Sequence, residues 1–73
     1  MLFRSSISPD NLRLALGELN GQRDLRIEFD HAASCIVKRA MLIPCESDGL
    51  VKVTDGSHVY IVDSERVAWL EIG

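Results

Sequence analysis

Apolar positions along this chain follow two different periods, and the change comes near residue 22. Leu12, Ala15, Leu16 and Leu19 fall at i, i+3, i+4 and i+7, the spacing of one buried helical stripe. Ser8-Pro9-Asp10 stands ahead of them. It offers a hydroxyl to cap free N–H groups, a proline suited to the first turn, and a carboxylate for the positive end of the dipole. Asn20-Gly21 supplies a left-handed stop, so a helix is predicted over residues 9–20. Gly17 inside it costs about 1 kcal/mol relative to Ala, which asks for tertiary support. Leu14 lies off the stripe and suggests a second contact surface.

Beyond residue 22 the period becomes two. Leu25, Ile27 and Phe29 alternate with Arg26, Glu28 and Asp30, which predicts a half-buried strand over 24–30. Residues 34–43 are apolar on both faces apart from Lys38 and Arg39, and read as one long, central, bent strand ended by Pro44. Glu46-Ser47-Asp48-Gly49 is a loop. A short strand over 50–54 meets Asp55-Gly56, a strong hairpin signal, and a strand over 58–63 follows. Val59 and Ile61 fall on one of its faces, Tyr60 and Val62 on the other. Ser64-Glu65-Arg66 then connects to a last strand over 67–72.

One helix followed by five strands makes a mainly β single domain spanning 1–73. So little chain is expected to roll into a strongly bent antiparallel small barrel, because closure hides strand edges. The last strand poses an edge problem. Val67-Ala68-Trp69-Leu70-Glu71-Ile72 is apolar on both faces, with no proline and a single charge. Either it pairs on both sides within the chain, or another subunit covers it.

Size sharpens that expectation. A chain of 73 residues buries only about 60% of the surface it exposes unfolded, and such domains usually rely on a disulfide, a metal or a partner. Cys35 and Cys45 would lie about 33 Å apart on one extended strand, far beyond disulfide reach, and Lys38-Arg39 lacks the residues of a tight hairpin turn. Reduced thiols are expected. His31, His58 and the two cysteines match no paired metal-ligand spacing, so neither metal nor cofactor is expected. His58, Asp63 and Ser64 contain the residue types of a hydrolytic triad. However, His58 and Ser64 lie about 20 Å apart if extended, and no glycine elbow exposes the serine. No catalytic residue is assigned, and an enzyme is not expected. A homo-oligomer joined through edge strands is.

Charge adds a direction. The net charge is -3, and the two halves differ. Residues 40–73 hold only Lys52 and Arg66 against six acidic groups, whereas residues 1–39 hold six basic against five. A cationic surface can therefore come only from the first half, where Arg13, Arg23 and Arg26 are the candidates for nucleic-acid contact. Acidic residues are interleaved with them, and the basic excess usual for nucleic-acid binding is absent. No apolar run exceeds four residues, as in Ala40-Met41-Leu42-Ile43, and none can span a bilayer. The first residues carry no apolar core of an export signal, which makes a cytoplasmic domain the default expectation.

The order of elements resembles the Sm-like fold of the Sm, LSm and Hfq proteins over roughly residues 8–72. Val59-Tyr60, a short break and Val67-Ala68-Trp69-Leu70 are similar to the end of Hfq, where a Val-Tyr pair precedes the last strand. Leu50-Val51 after a polar loop is similar to the Sm pattern entering its third strand. The resemblance implies a ring in which the fourth strand of one subunit pairs with the fifth of the next. Val59, Tyr60, Ile61, Val67, Trp69 and Leu70 are the expected interface residues. The departures fall where the family binds RNA. Ile61-Val62 stands where Hfq has a Lys-His pair, Asp63-Ser64-Glu65 where Sm proteins carry an Arg-Gly turn, and Gly49 where the family has Asn. Phosphate attraction and base stacking are both lost with them. The sequence thus leaves two readings: an oligomeric structural or interaction module without the usual RNA-binding residues, and a divergent RNA-binding protein using a basic helix and first-strand face.

Overall fold

A computed structural model describes residues 7–73. The elements are α1 (Pro9–Leu16), β1 (Leu25–Phe29), β2 (Cys35–Val37), β3 (Met41–Leu42), β4 (Val51–Thr54), β5 (Val59–Val62), a 3-10 turn (Ser64–Arg66) and β6 (Val67–Ile72). Among the described residues the fold is mainly β with one helix, and every ladder is antiparallel.

Helix α1 starts as its sequence dictates. Ser8 Oγ accepts from the Asn11 N–H at 3.2 Å and Pro9 occupies the first position. It ends at Leu16, four residues before the predicted stop. Gly17 and Leu19 donate to the carbonyls of Leu14 and Leu16, so the chain tightens into three-residue turns after the glycine. Leu12, Leu16 and Leu19 remain buried as predicted, while Ala15 is exposed. Gly21 does take the left-handed conformation, at φ 82°, but it serves the turn into β1, where its N–H donates to the Ala40 carbonyl.

The predicted strand over 34–43 is two short strands in different sheets. A turn at Lys38-Arg39 divides them, with Arg39 at φ 47°. Its physical cause lies on another element. Asp24 Oδ1 accepts the Arg39 N–H at 3.0 Å, and Oδ2 accepts Lys38 Nζ at 3.1 Å. These bonds, the Arg39 N–H first and the Lys38 ammonium second, hold the Asp24 carboxyl below the usual range. They offset the cost of a left-handed non-glycine residue, about 1–2 kcal/mol.

β2, β1 and β6 form one three-stranded sheet, in that order, and β3, β4 and β5 form the other. No ladder joins the two sheets among the described residues, so the expected closed five-stranded barrel is instead two open sheets facing one core. Leu25, Ile27, Val37 and Val67 enter that core from the first sheet, and Val51, Val53 and Val62 from the second. Helix α1 packs against β3, β4 and the 3-10 turn and brings in Leu12 and Leu16. No helix among the described residues is long and apolar enough to cross a membrane.

Candidate functional site

The expected interface residues lie on two strands that each end a sheet. β6 pairs with β1 and β5 pairs with β4, and each has one unpaired edge among the described residues. The phase of each ladder decides which backbone groups face outward. The Gly73 N–H donates to the Asp24 carbonyl at 2.9 Å. Antiparallel pairs alternate between bonded and unbonded, so Glu71 and Trp69 bond to β1 while the N–H and C=O of Leu70 and Ile72 point away from it. In β5, the Asp55 N–H donates to the His58 carbonyl at 3.4 Å. By the same alternation, Tyr60 and Val62 bond to β4 and the backbone of Val59 and Ile61 faces outward.

Side chains follow the pleat. Val59 and Ile61 point to solvent and are 59% and 62% exposed, while Tyr60 and Val62 turn inward. On β6, Leu70 and Ile72 are half-buried on the core side, and Trp69 stands on the outer face at 47% exposure. Val67 is buried in the core, beside an irregularity in the ladder between Glu28 and Phe29. Four of the six expected interface residues, Val59, Ile61, Trp69 and Leu70, thus have exposed apolar surface or an outward backbone. Tyr60 is half-buried and Val67 is buried. Ile72 was not among the expected residues, although it shares the parity of Leu70, and that parity was the available signal.

The three basic candidates are on separate elements with separate partners. Arg13 extends from α1 to the loop before β4, where its Nη2 donates to the carbonyls of Gly49 at 2.6 Å and Leu50 at 3.2 Å. Its Nη1 donates to Asp10 at 3.2 Å. Arg26 lies 5.3 Å from the centre of the Trp69 ring, a cation–π distance, with Glu28 Oε2 3.8 Å from its Nε. Arg23 is exposed, and its carbonyl accepts from the Ala40 N–H.

Two carboxylate clusters brace the second sheet. Lys52 Nζ donates to Asp48 at 2.6 Å and Glu46 at 2.7 Å, an arrangement that raises the Lys52 pKa and lowers that of Asp48. The loop before β4 is therefore folded onto its own cation. At the hairpin, Asp55 Oδ1 accepts the N–H groups of Ser57 and His58, and Oδ2 sits 3.3 Å from His58 Nδ1 and 3.2 Å from the Tyr60 hydroxyl. The backbone bonds lead in holding the Asp55 carboxyl down to about 2. Burial, then the neighbouring Asp55 charge, pushes the Tyr60 phenol up.

A cleft of about 370 Å³ opens at the end of β5, between Pro9, Leu50, Ile61 and Ser64, with Asp63 and Glu65 on its rim. No group of three or more potential metal ligands occurs among the described residues, and Cys35 and Cys45 are free thiols. No family model, no curated protein and no solved structure matches this chain.

Proposed function

We propose that this chain is an oligomeric structural or protein-interaction module of Sm-like architecture, assembled by adding β6 of one copy to β5 of the next. One observation carries the reading: backbone and side-chain parity agree at both edges. The outward backbone groups belong to Val59 and Ile61 on β5 and to Leu70 and Ile72 on β6. Residues opposite one another in an antiparallel pair share a face. Pairing those groups therefore lays the exposed Val59 and Ile61 against the half-buried Leu70 and Ile72. It also places Trp69 on the face of Tyr60 and Val62. One face of the new ladder is then wholly apolar, and the other carries Trp69, Tyr60 and Val62 together with Glu71.

Strand order supports the architecture. One bent segment feeds both sheets through β2 and β3, and only a 3-10 turn separates the last two strands. Because β5 and β6 are unlike, the contact is head-to-tail, which closes as a ring when the rotation per subunit permits. The RNA-binding alternative, including the basic helix and first-strand face, lacks a comparable observation. Arg13 is committed to backbone carbonyls, and Arg26 is stacked on Trp69 beside Glu28.

Native mass, measured by sedimentation equilibrium without nucleic acid, tests the proposal. A discrete closed oligomer is expected, and Trp69→Asp is expected to dissolve it to a folded monomer. A monomeric wild-type chain, or an intact oligomer carrying Trp69→Asp, would overturn it.

A further inference from the structure

Asn20-Gly21, in the linker between α1 and β1, is a reactive pair by its chemistry. The Gly21 backbone nitrogen can attack the Asn20 side-chain carbonyl carbon, since no Cβ on the second residue stands in the way. The N–H proton passes to solvent base, ammonia leaves, and a cyclic imide joins the two residues. Water then opens that ring. Hydrolysis at the side-chain carbonyl gives aspartate. Hydrolysis at the main-chain carbonyl gives isoaspartate, whose backbone runs through the former side chain and is one methylene longer. Water is consumed and ammonia released on either route.

The fold both requires this glycine and restrains its nitrogen. Gly21 has φ 82°, and a Cβ there would meet the Met41 side chain at 3.3 Å, so another residue would be strained. Asn20 is exposed to water. The attacking nitrogen, however, is engaged: its N–H donates to the Ala40 carbonyl at 3.0 Å. Asn20 Oδ1 accepts the Gln22 N–H at 3.1 Å, an Asx turn that ties the side-chain amide to the next residue but one. Ala40 is fully buried, and its own N–H donates to the Arg23 carbonyl at 2.8 Å. Two backbone bonds thus clamp residues 21–23 to the segment between β2 and β3.

We infer that Asn20-Gly21 is a spontaneous deamidation site latched by the Gly21–Ala40 hydrogen bond. It is silent while the latch is closed and reacts when the linker opens locally, which costs less than unfolding the whole chain. Conversion to isoaspartate then holds the latch open, because the lengthened backbone no longer presents the Gly21 N–H to the Ala40 carbonyl. The site lies outside β5 and β6, so it stands whether or not copies associate.

Two measurements test it, and neither needs a variant to fold. Folded chain and chain unfolded in guanidinium are aged side by side at one mildly alkaline pH and one temperature. The acid forms of the tryptic peptide 14–23 are followed by mass spectrometry. They should accumulate at least tenfold more slowly in the folded chain, and equal rates overturn the latch. The isoaspartyl chain made in guanidinium is then separated chromatographically and returned to native buffer. Its Gly21 amide should lose hydrogen-exchange protection while β1 keeps its own. Protection retained at Gly21, or lost throughout β1, overturns the claim that the modification acts on the latch.

Discussion

Asp55 shows how much one side chain can organise. Its carboxylate takes two backbone N–H groups, approaches an imidazole and accepts a phenol, all within a six-residue stretch. Because its folded pKa lies near 2, below the usual carboxylate value, the ionised form is favoured by folding. The resulting stability is fully present above pH about 4 and is lost as pH falls through about 2. Urea midpoints of wild type and Asp55→Asn should therefore differ at pH 6 and converge at pH 2; a gap of the same size at both would refute the assignment. Arg13 works across the chain instead, tying α1 to the Gly49 and Leu50 carbonyls. Arg13→Ala should lower stability by about 1.5–3 kcal/mol in urea denaturation, the scale for bonds from a charged donor.

Elements were readable where their causes are local. Ser8-Pro9 and the Leu12–Leu16 spacing place α1, and Asp55-Gly56 places the β4–β5 hairpin. Residues 67–72 read as a strand to the residue. The turn at Lys38-Arg39 was not readable, because neither residue is a turn former and the group that bends the chain, Asp24, lies 15 positions away from Arg39. Its removal gives a test at this scale. Asp24→Ala should destabilise the fold by unfastening β2 from β3, and the backbone amide of Arg39 should lose hydrogen-exchange protection first. Retained protection at Arg39 would show that the turn holds without Asp24. The expected interface residues were legible as apolar positions, but their sorting into core and edge required the ladder phase. Tyr60 looks like a binding residue in sequence and is held by Asp55 in the fold.

At the scale of the molecule, six short strands and an eight-residue helix among the described residues enclose a core of eleven buried apolar residues, which leaves little reserve for defects. Leu16→Ala, fully buried where α1 meets the sheets, should cost about 2–5 kcal/mol and leave much of the chain unfolded at ambient temperature. Circular dichroism against temperature would show it as a broad loss of signal, and a wild-type melting curve would contradict it. The edges at β5 and β6 differ in chemistry: β5 carries no charge, while β6 carries Glu71 and an aromatic ring under a guanidinium. Unlike ends give each subunit a direction, and a directional subunit can be poisoned. On the proposed assembly, a chain with β5 blocked still offers β6. Mixed in small amounts with wild type, it should act as a terminator, converting closed particles into short open strings capped at one end.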